Sequence, residues 1–192
     1  AMVHHDDALG RLTEGSGRLD AMPAAELQRV AFKMSADRML TLGELCDLVG
    51  SRATPLMIEL KSHSDRDPRL PLRVTRVLEG YRGPVAVMSF DPAQVAAARA
   101  AAPALARGLV AMRRNADADA PTVPPLHYVR QLLAARPQFL AYRVQDLATA
   151  PPMLARHLLR MPLLTWTVRT AADRARAARY ADQIIFEGFR PA

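Results

Sequence analysis

The run Leu163-Leu164-Thr165-Trp166-Thr167-Val168, the Ala- and Arg-rich segment from Thr170 to Tyr180, and then Gln183-Ile184-Ile185-Phe186-Glu187-Gly188 decide the fold. Two short, mostly apolar runs flank a stretch of helix-forming residues. A short run that is apolar without strict alternation is what a strand buried on both faces looks like. Two such strands joined by a helix make a parallel βαβ unit, because parallel neighbours need a crossover connection.

The same alternation extends back along the chain. Strands are predicted at Pro55–Lys61, Val85–Phe90, Ala106–Met112 and Phe139–Val144. Helices are predicted at Thr41–Val49, Leu70–Tyr81, Asp91–Ala102, Leu126–Ala135 and Pro152–Arg160, and a short one begins at Pro23. Thr41-Leu42-Gly43-Glu44 matches a capping box, and Asp91-Pro92 places a capping carboxylate before a proline in the first turn. Residues 4–20 are polar and Gly-rich and read as a loop, as does Arg113–Pro125.

Six βα units in a row suggest a (β/α) barrel or a doubly wound sheet. A complete barrel takes about 250 residues, and this chain has 192. It opens on a loop with only Ala1-Met2-Val3 before it. The expectation is therefore an α/β fold: a TIM (β/α)8 barrel with its first two to three strands missing. It would form one domain over 1–192, with a loop at 3–20 after the third strand and the remaining βα units over 41–188. If Val3 closes a third strand, five of the six candidates complete the barrel. Either Ala106–Met112 or Phe139–Val144 would then be irregular or peripheral.

Composition narrows the function. Half the residues are apolar and 23% are charged, enough to bury a real core. No apolar run reaches the roughly 18 residues of a membrane span, and no signal peptide is visible, which predicts a cytoplasmic protein. The single cysteine, Cys46, excludes an internal disulfide framework and a Cys-rich zinc site. Net charge is +7, and Lys33 and Lys61 are the only lysines among 26 basic residues. The arginines are scattered singly and aromatics are 5%, too few for base-stacking platforms. A solvated Arg-rich surface is expected, with no nucleic-acid partner.

Polar groups with chemical potential sit at strand ends: His5 and Asp6 after Val3, Glu59 and Lys61, and Glu187. Barrel enzymes place their chemistry at the C-terminal ends of strands. The pleat puts Glu59 and Lys61 on one face and Leu60 on the other. A carboxylate and an ammonium there suit a hard cation and an anionic substrate, or they form only an ion pair with each other. His63, His127 and His157 carry less. There is no H-E-x-x-H motif and no Gly-rich phosphate loop.

Several segments resemble the glycerophosphodiester phosphodiesterase family. His5-Asp6-Asp7-Ala8-Leu9-Gly10-Arg11-Leu12-Thr13 is similar to its H-D-x-x-L-x-R-x-T segment. Leu40-Thr41-Leu42-Gly43-Glu44-Leu45 is similar to its P-T-L-x-E-x-L helix start, with leucine in place of proline. Ile58-Glu59-Leu60-Lys61 resembles its E-x-K strand. Ser89-Phe90, Thr165-Trp166-Thr167-Val168 and Ile184-Ile185-Phe186-Glu187 follow in the family's order.

The resemblance implies a TIM-barrel hydrolase of lipid metabolism. Its small-molecule phosphodiester substrate is split into an alcohol and glycerol 3-phosphate with a divalent cation, Ca²⁺ or Mg²⁺. It implies that His5 stands for the second of two acid–base histidines, Glu59 for the third metal carboxylate and Lys61 for the phosphate-binding lysine. Trp166 would line the pocket, and Glu187 would stand near it. The family's H-R-G and E-x-D motifs have no counterpart in these residues. The 192-residue chain is therefore expected to be inactive alone. The alternative is a non-catalytic truncated barrel that binds a phosphorylated ligand or a protein. Uncovered strand edges would favour a homo-oligomer.

Overall fold

A computed structural model describes residues 1–50, 54–61, 67–113, 130 and 133–190. Its centre is one six-stranded parallel sheet in chain order. The strands are β3 (Leu56–Glu59), β4 (Val85–Ser89), β5 (Ala106–Ala111), β6 (Phe139–Arg143), β7 (Leu163–Val168) and β8 (Gln183–Phe186). Crossover helices join them: α3 (Arg69–Leu78), α4 (Pro92–Ala101), α5 (Ala150–His157) and α6 (Ala171–Tyr180). Residues 133–135 are helical before β6, whereas the rest of the Leu126–Ala135 prediction, apart from Arg130, lies outside the described residues. So does nearly all of the Arg113–Pro125 loop.

Two expectations are corrected. Neither Ala106–Met112 nor Phe139–Val144 is irregular: β5 and β6 pair in continuous parallel register, Gly108 with Phe139 through Ala111 with Tyr142, at the centre of the sheet. Val3 does not close a strand. Met2 forms an isolated antiparallel bridge with Thr41, and the Val3 N–H donates to the Leu40 carbonyl at 2.8 Å. The six strands thus stand for consecutive staves, and an eight-stranded barrel needs two beyond them.

The pleat sorts side chains into two layers. Leu109, Tyr142, Leu163 and Val168 face the helices, where they meet Val95, Ala155 and Ala177. Met88, Val110, Phe139, Ala141, Leu164 and Trp166 form a separate cluster on the inner face. Gly108 leaves room for the inner layer, since a Cβ there would lie 2.0 Å from Phe139 Cε2.

The N-terminal segment is built differently. Residues 4–20, expected as plain loop, contain a two-strand hairpin of β1 (Ala8–Leu9) and β2 (Gly17–Arg18). A short α1 (Ala24–Leu27) follows. Leu9, Leu27 and Met39 are buried together as a small cluster of their own, packed by Met2, Leu19, Met22, Val30 and Phe32. Next, α2 (Leu42–Gly50) begins at the expected capping box. The Glu44 N–H donates to Thr41 Oγ1 at 3.2 Å, and the Thr41 N–H donates to Glu44 Oε2 at 2.8 Å.

Candidate active site

The C-terminal ends of the strands form the mouth of the barrel. Leu60, just past β3, turns to the outer layer, so the pleat directs Glu59 and Lys61 to one side. Lys61 Nζ donates to Glu59 Oε1 at 2.7 Å, and both side chains keep solvent contact, at 37% and 26% exposure. Ser89 at the end of β4 is buried, and its hydroxyl donates to the Leu60 carbonyl at 2.7 Å. It also accepts the Asp91 N–H at 3.1 Å. Ser89 therefore fixes the backbone from which Lys61 projects and leads into α4, where Asp91 Oδ1 caps the Ala93 N–H at 2.8 Å.

His5 lies opposite, on the N-terminal segment. Its Nδ1 is 2.7 Å from Asp6 Oδ1, and its side chain is 73% exposed. Arg11 grips the same carboxylate with two bonds, Nε to Oδ2 at 2.8 Å and Nη2 to Oδ1 at 2.6 Å. The guanidinium, and after it His5, hold the Asp6 carboxyl well below the usual carboxylate range. An ionised Asp6 only accepts hydrogen bonds. Arg11 Nη2 also lies 3.1 Å from His5 Nδ1, so Asp6 and Arg11 together fix the ring at that nitrogen and Nε2 is the one left for a bound molecule. The sequence placed Asp6 beside His5 at a strand end without giving it a role, and it did not single out Arg11. Their signal was the spacing within the His5–Thr13 segment, where a carboxylate beside the histidine meets a guanidinium five residues on.

The rest of that segment is scaffold. Leu9 is buried in the small N-terminal cluster, and Thr13 is buried with its hydroxyl accepting the Gly10 N–H at 3.3 Å. The neighbouring His4 is half-buried. Its Nδ1 lies against the Asp6 backbone, its ring stacks on Phe32 at 6.1 Å between centroids, and its buried Nε2 has no partner.

One cavity of about 630 Å³ brings together three of the five residues expected in the site: His5, Glu59 and Lys61. Asp6, Asp67 and Arg69 also line it. Trp166 and Glu187 do not. The Trp166 indole stands edge-on to Phe90 at 5.4 Å within the inner layer and donates Nε1–H to the Ala141 carbonyl at 3.2 Å. Glu187, one residue past β8, accepts two bonds from Arg169, at 2.9 and 2.5 Å. Asp6 raises the Arg11 pKa, and the charge of Glu187 adds a smaller share.

The donor set does not fit a metal. No three His, Cys, Asp or Glu side chains converge to hold one among the described residues, and Glu59 already accepts from Lys61. A hard cation takes six or more oxygen ligands, and one engaged carboxylate does not hold it.

A parallel sheet with helices outside and an imidazole, a carboxylate and an ammonium at its strand ends belongs to the (β/α)8 barrel class. Solved structures agree on the fold. A phosphodiesterase of Oleispira antarctica, solved with sn-glycerol-3-phosphate, superposes with a TM-score of 0.78 at 18% identity, covering 96% of this chain and 74% of that one. A protein of Silicibacter pomeroyi assigned as a glycerophosphoryl diester phosphodiesterase gives 0.76 at 24% identity, over 96% and 74%. One from Galdieria sulphuraria, assigned as a glycerophosphodiester phosphodiesterase, gives 0.76 at 18%, over 96% and 75%. Comparison with curated proteins finds no match. The chain belongs to the glycerophosphoryl diester phosphodiesterase family, whose family model matches residues 1–187. None of its described helices is long and apolar enough to cross a membrane.

Proposed function

We propose that this protein hydrolyses glycerophosphodiesters to an alcohol and glycerol 3-phosphate. The observation that carries the reading is the convergence of His5, Glu59 and Lys61 on one cavity in a chain of this family. The Oleispira relative, which was solved with sn-glycerol-3-phosphate, supports the product.

Hydrolysis breaks one P–O ester bond. The leaving oxygen needs a proton, and the attacking oxygen loses one. In this reading His5 Nε2 moves that proton, while Asp6 and Arg11 hold the ring at Nδ1. The Lys61 ammonium offsets charge on the phosphoryl oxygens, for which it must leave Glu59 and turn to the substrate. Trp166 and Phe90 give the mouth an apolar wall for the glycerol or alcohol carbon chain. Glu59 is one oxygen donor toward a divalent cation. The described residues do not supply the others. A second reading, a barrel that binds a phosphorylated ligand without cleaving it, draws on the Glu59–Lys61 ion pair.

Substitution on β3 separates the two. In the closed-barrel enzyme, Lys61→Met lowers kcat/KM for a glycerophosphodiester and leaves the metal concentration for half-activity unchanged. Glu59→Gln raises that concentration, and excess metal restores part of the rate. Equal losses of melting temperature with unchanged metal dependence would show an ion pair and nothing more.

A further inference from the structure

The opposite face of the barrel collects arginines. Arg82, Arg136 and Arg160 each stand three residues before a strand, β4, β6 and β7, and Arg107 is the second residue of β5. In a parallel sheet all strand starts lie at one end, away from the mouth that holds His5 and Lys61. Helix ends come to this face too, and Arg99 lies in the last turn of α4.

Three of these guanidiniums share one cavity. Arg99, Arg107 and Arg136 line a space of about 380 Å³, with Ala100 and Pro103 as its other walls. No carboxylate belongs to that lining, and no ion pair is made by any of the three among the described residues. Arg107 Nη1 donates to the Pro103 and Leu105 carbonyls at 3.2 and 3.4 Å and to Gln138 Oε1 at 3.4 Å. These bonds aim the group. Its Nε is buried with no partner among the described residues. Burial, and then the charge of Arg99, push the Arg107 pKa down, so two like charges are held close in partly dehydrated surroundings.

Such an arrangement costs free energy unless something offsets it. The partial negative charge at the C-terminus of α4 accounts for one arginine near it, Arg99, but not for three around a cavity. An oxyanion with two or more charges would relieve the repulsion. Guanidinium forks match phosphate oxygens in pairs. The volume falls within the range of small-ligand sites.

We infer that Arg99, Arg107 and Arg136 form a second binding site, for a dianionic phosphate group, on the face of the barrel remote from the catalytic mouth. The inference is independent of the proposed hydrolysis. A phosphate of this kind comes from a free phosphate ester or from the headgroup of an anionic lipid. The chemistry is the same in both.

The test uses the intact protein at low salt and inorganic pyrophosphate as probe, with affinity measured by calorimetry. The double variant Arg99→Gln/Arg136→Gln keeps the Arg107 bonds that hold the backbone. It should weaken pyrophosphate binding at least about 10-fold, the loss expected for two charge-assisted contacts. Lys61→Met, which alters only the mouth, should retain this binding, so failure of the mouth and failure of this site are told apart. Sedimentation with phosphatidylcholine vesicles, with and without phosphatidic acid, identifies the source. Pelleting that needs phosphatidic acid and is lost in the double variant points to a lipid headgroup. Pyrophosphate binding without pelleting points to a free ester. Affinity unchanged by the double substitution, or no binding of either probe, overturns the inference.

Discussion

The two halves of the mouth are held by different forces. On the sheet side, Glu59 ends β3 and Lys61 follows it, and β3 is paired in parallel register with β4, whose other side is laddered to β5. On the other side, His5 sits on a segment with one short hairpin, three isolated bridges in or near it, and a cluster of three buried side chains. Its backbone is tied by scattered bonds, Glu14 N–H to the Ala31 carbonyl and Lys33 N–H to the Leu12 carbonyl. The sheet supplies rigidity, and the N-terminal segment supplies the imidazole. Regular structure resists local opening because its contacts are shared, whereas a segment held by separate contacts opens on its own.

The largest effect should come from the histidine. In the closed-barrel enzyme, His5→Ala should lower turnover by about 10²–10⁴-fold, the range for a positioned proton donor or acceptor. His4→Ala should leave turnover near normal and lower the melting temperature, because the half-buried His4 ring is packed on Phe32 and its Nδ1 is tied to the Asp6 backbone, whereas the His5 side chain is exposed. Equal losses of turnover at both positions would assign the chemistry to neither.

Core truncations should divide along the same line. Leu163→Ala and Leu27→Ala each remove a fully buried leucine, a change that costs about 2–5 kcal/mol. Leu163→Ala should lower the global melting temperature. Leu27→Ala should instead speed hydrogen exchange at Glu14 and Lys33 while the amides of the central strands stay protected. If both variants melt alike by every probe, the two regions are one cooperative unit.

Gly108→Ala tests the inner layer. The new methyl meets the Phe139 ring, so about 1–3 kcal/mol of stability should be lost. Adding Phe139→Leu should recover part of the loss, which unfolding in denaturant can check. No recovery would place the cost elsewhere.

The smallest effect belongs to the joint between the regions. Thr41→Ala should cost about 1 kcal/mol by uncapping α2. Arg38, then Thr41, lower the Glu44 pKa from near 4.5 to about 2. A depressed carboxylate stabilises the fold above its unfolded pKa and loses that contribution as pH falls through the folded one. The melting temperature should therefore fall between about pH 5 and pH 2, and fall less in Glu44→Gln. Equal pH dependence in both proteins would remove Glu44 from the account.

All six sheet strands were legible because each is a short apolar run between helix signals, and their observed bounds lie within the predicted runs. Their arrangement was less so. Counting Val3 as a strand forced one of β5 and β6 out of the barrel, since an apolar residue near a histidine looks the same in a strand and in an isolated bridge. The hairpin at Ala8–Arg18 escaped notice because its strands are two residues each, too short for periodicity to register. In the candidate site, the Glu59–Lys61 pairing followed from the pleat. The Asp6–Arg11 clamp did not, because it depends on how an irregular segment folds back on itself. The arginine-lined cavity was invisible for another reason: its members are far apart in the chain and meet only through the parallel topology.

A sheet with two free edges behaves mechanically as a split ring and not as a hoop. Among the described residues, β3 has no neighbour on one side and β8 none on the other. A hoop resists torsion through its whole circumference, whereas a split ring resists it only through the stiffness of its wall. Bending along each strand is opposed by the same ladders in either case. Sliding of one lip past the other is opposed by little. Glu59 ends the strand on one lip and Glu187 follows the strand on the other, so the spacing of these carboxylates is set by what closes the ring.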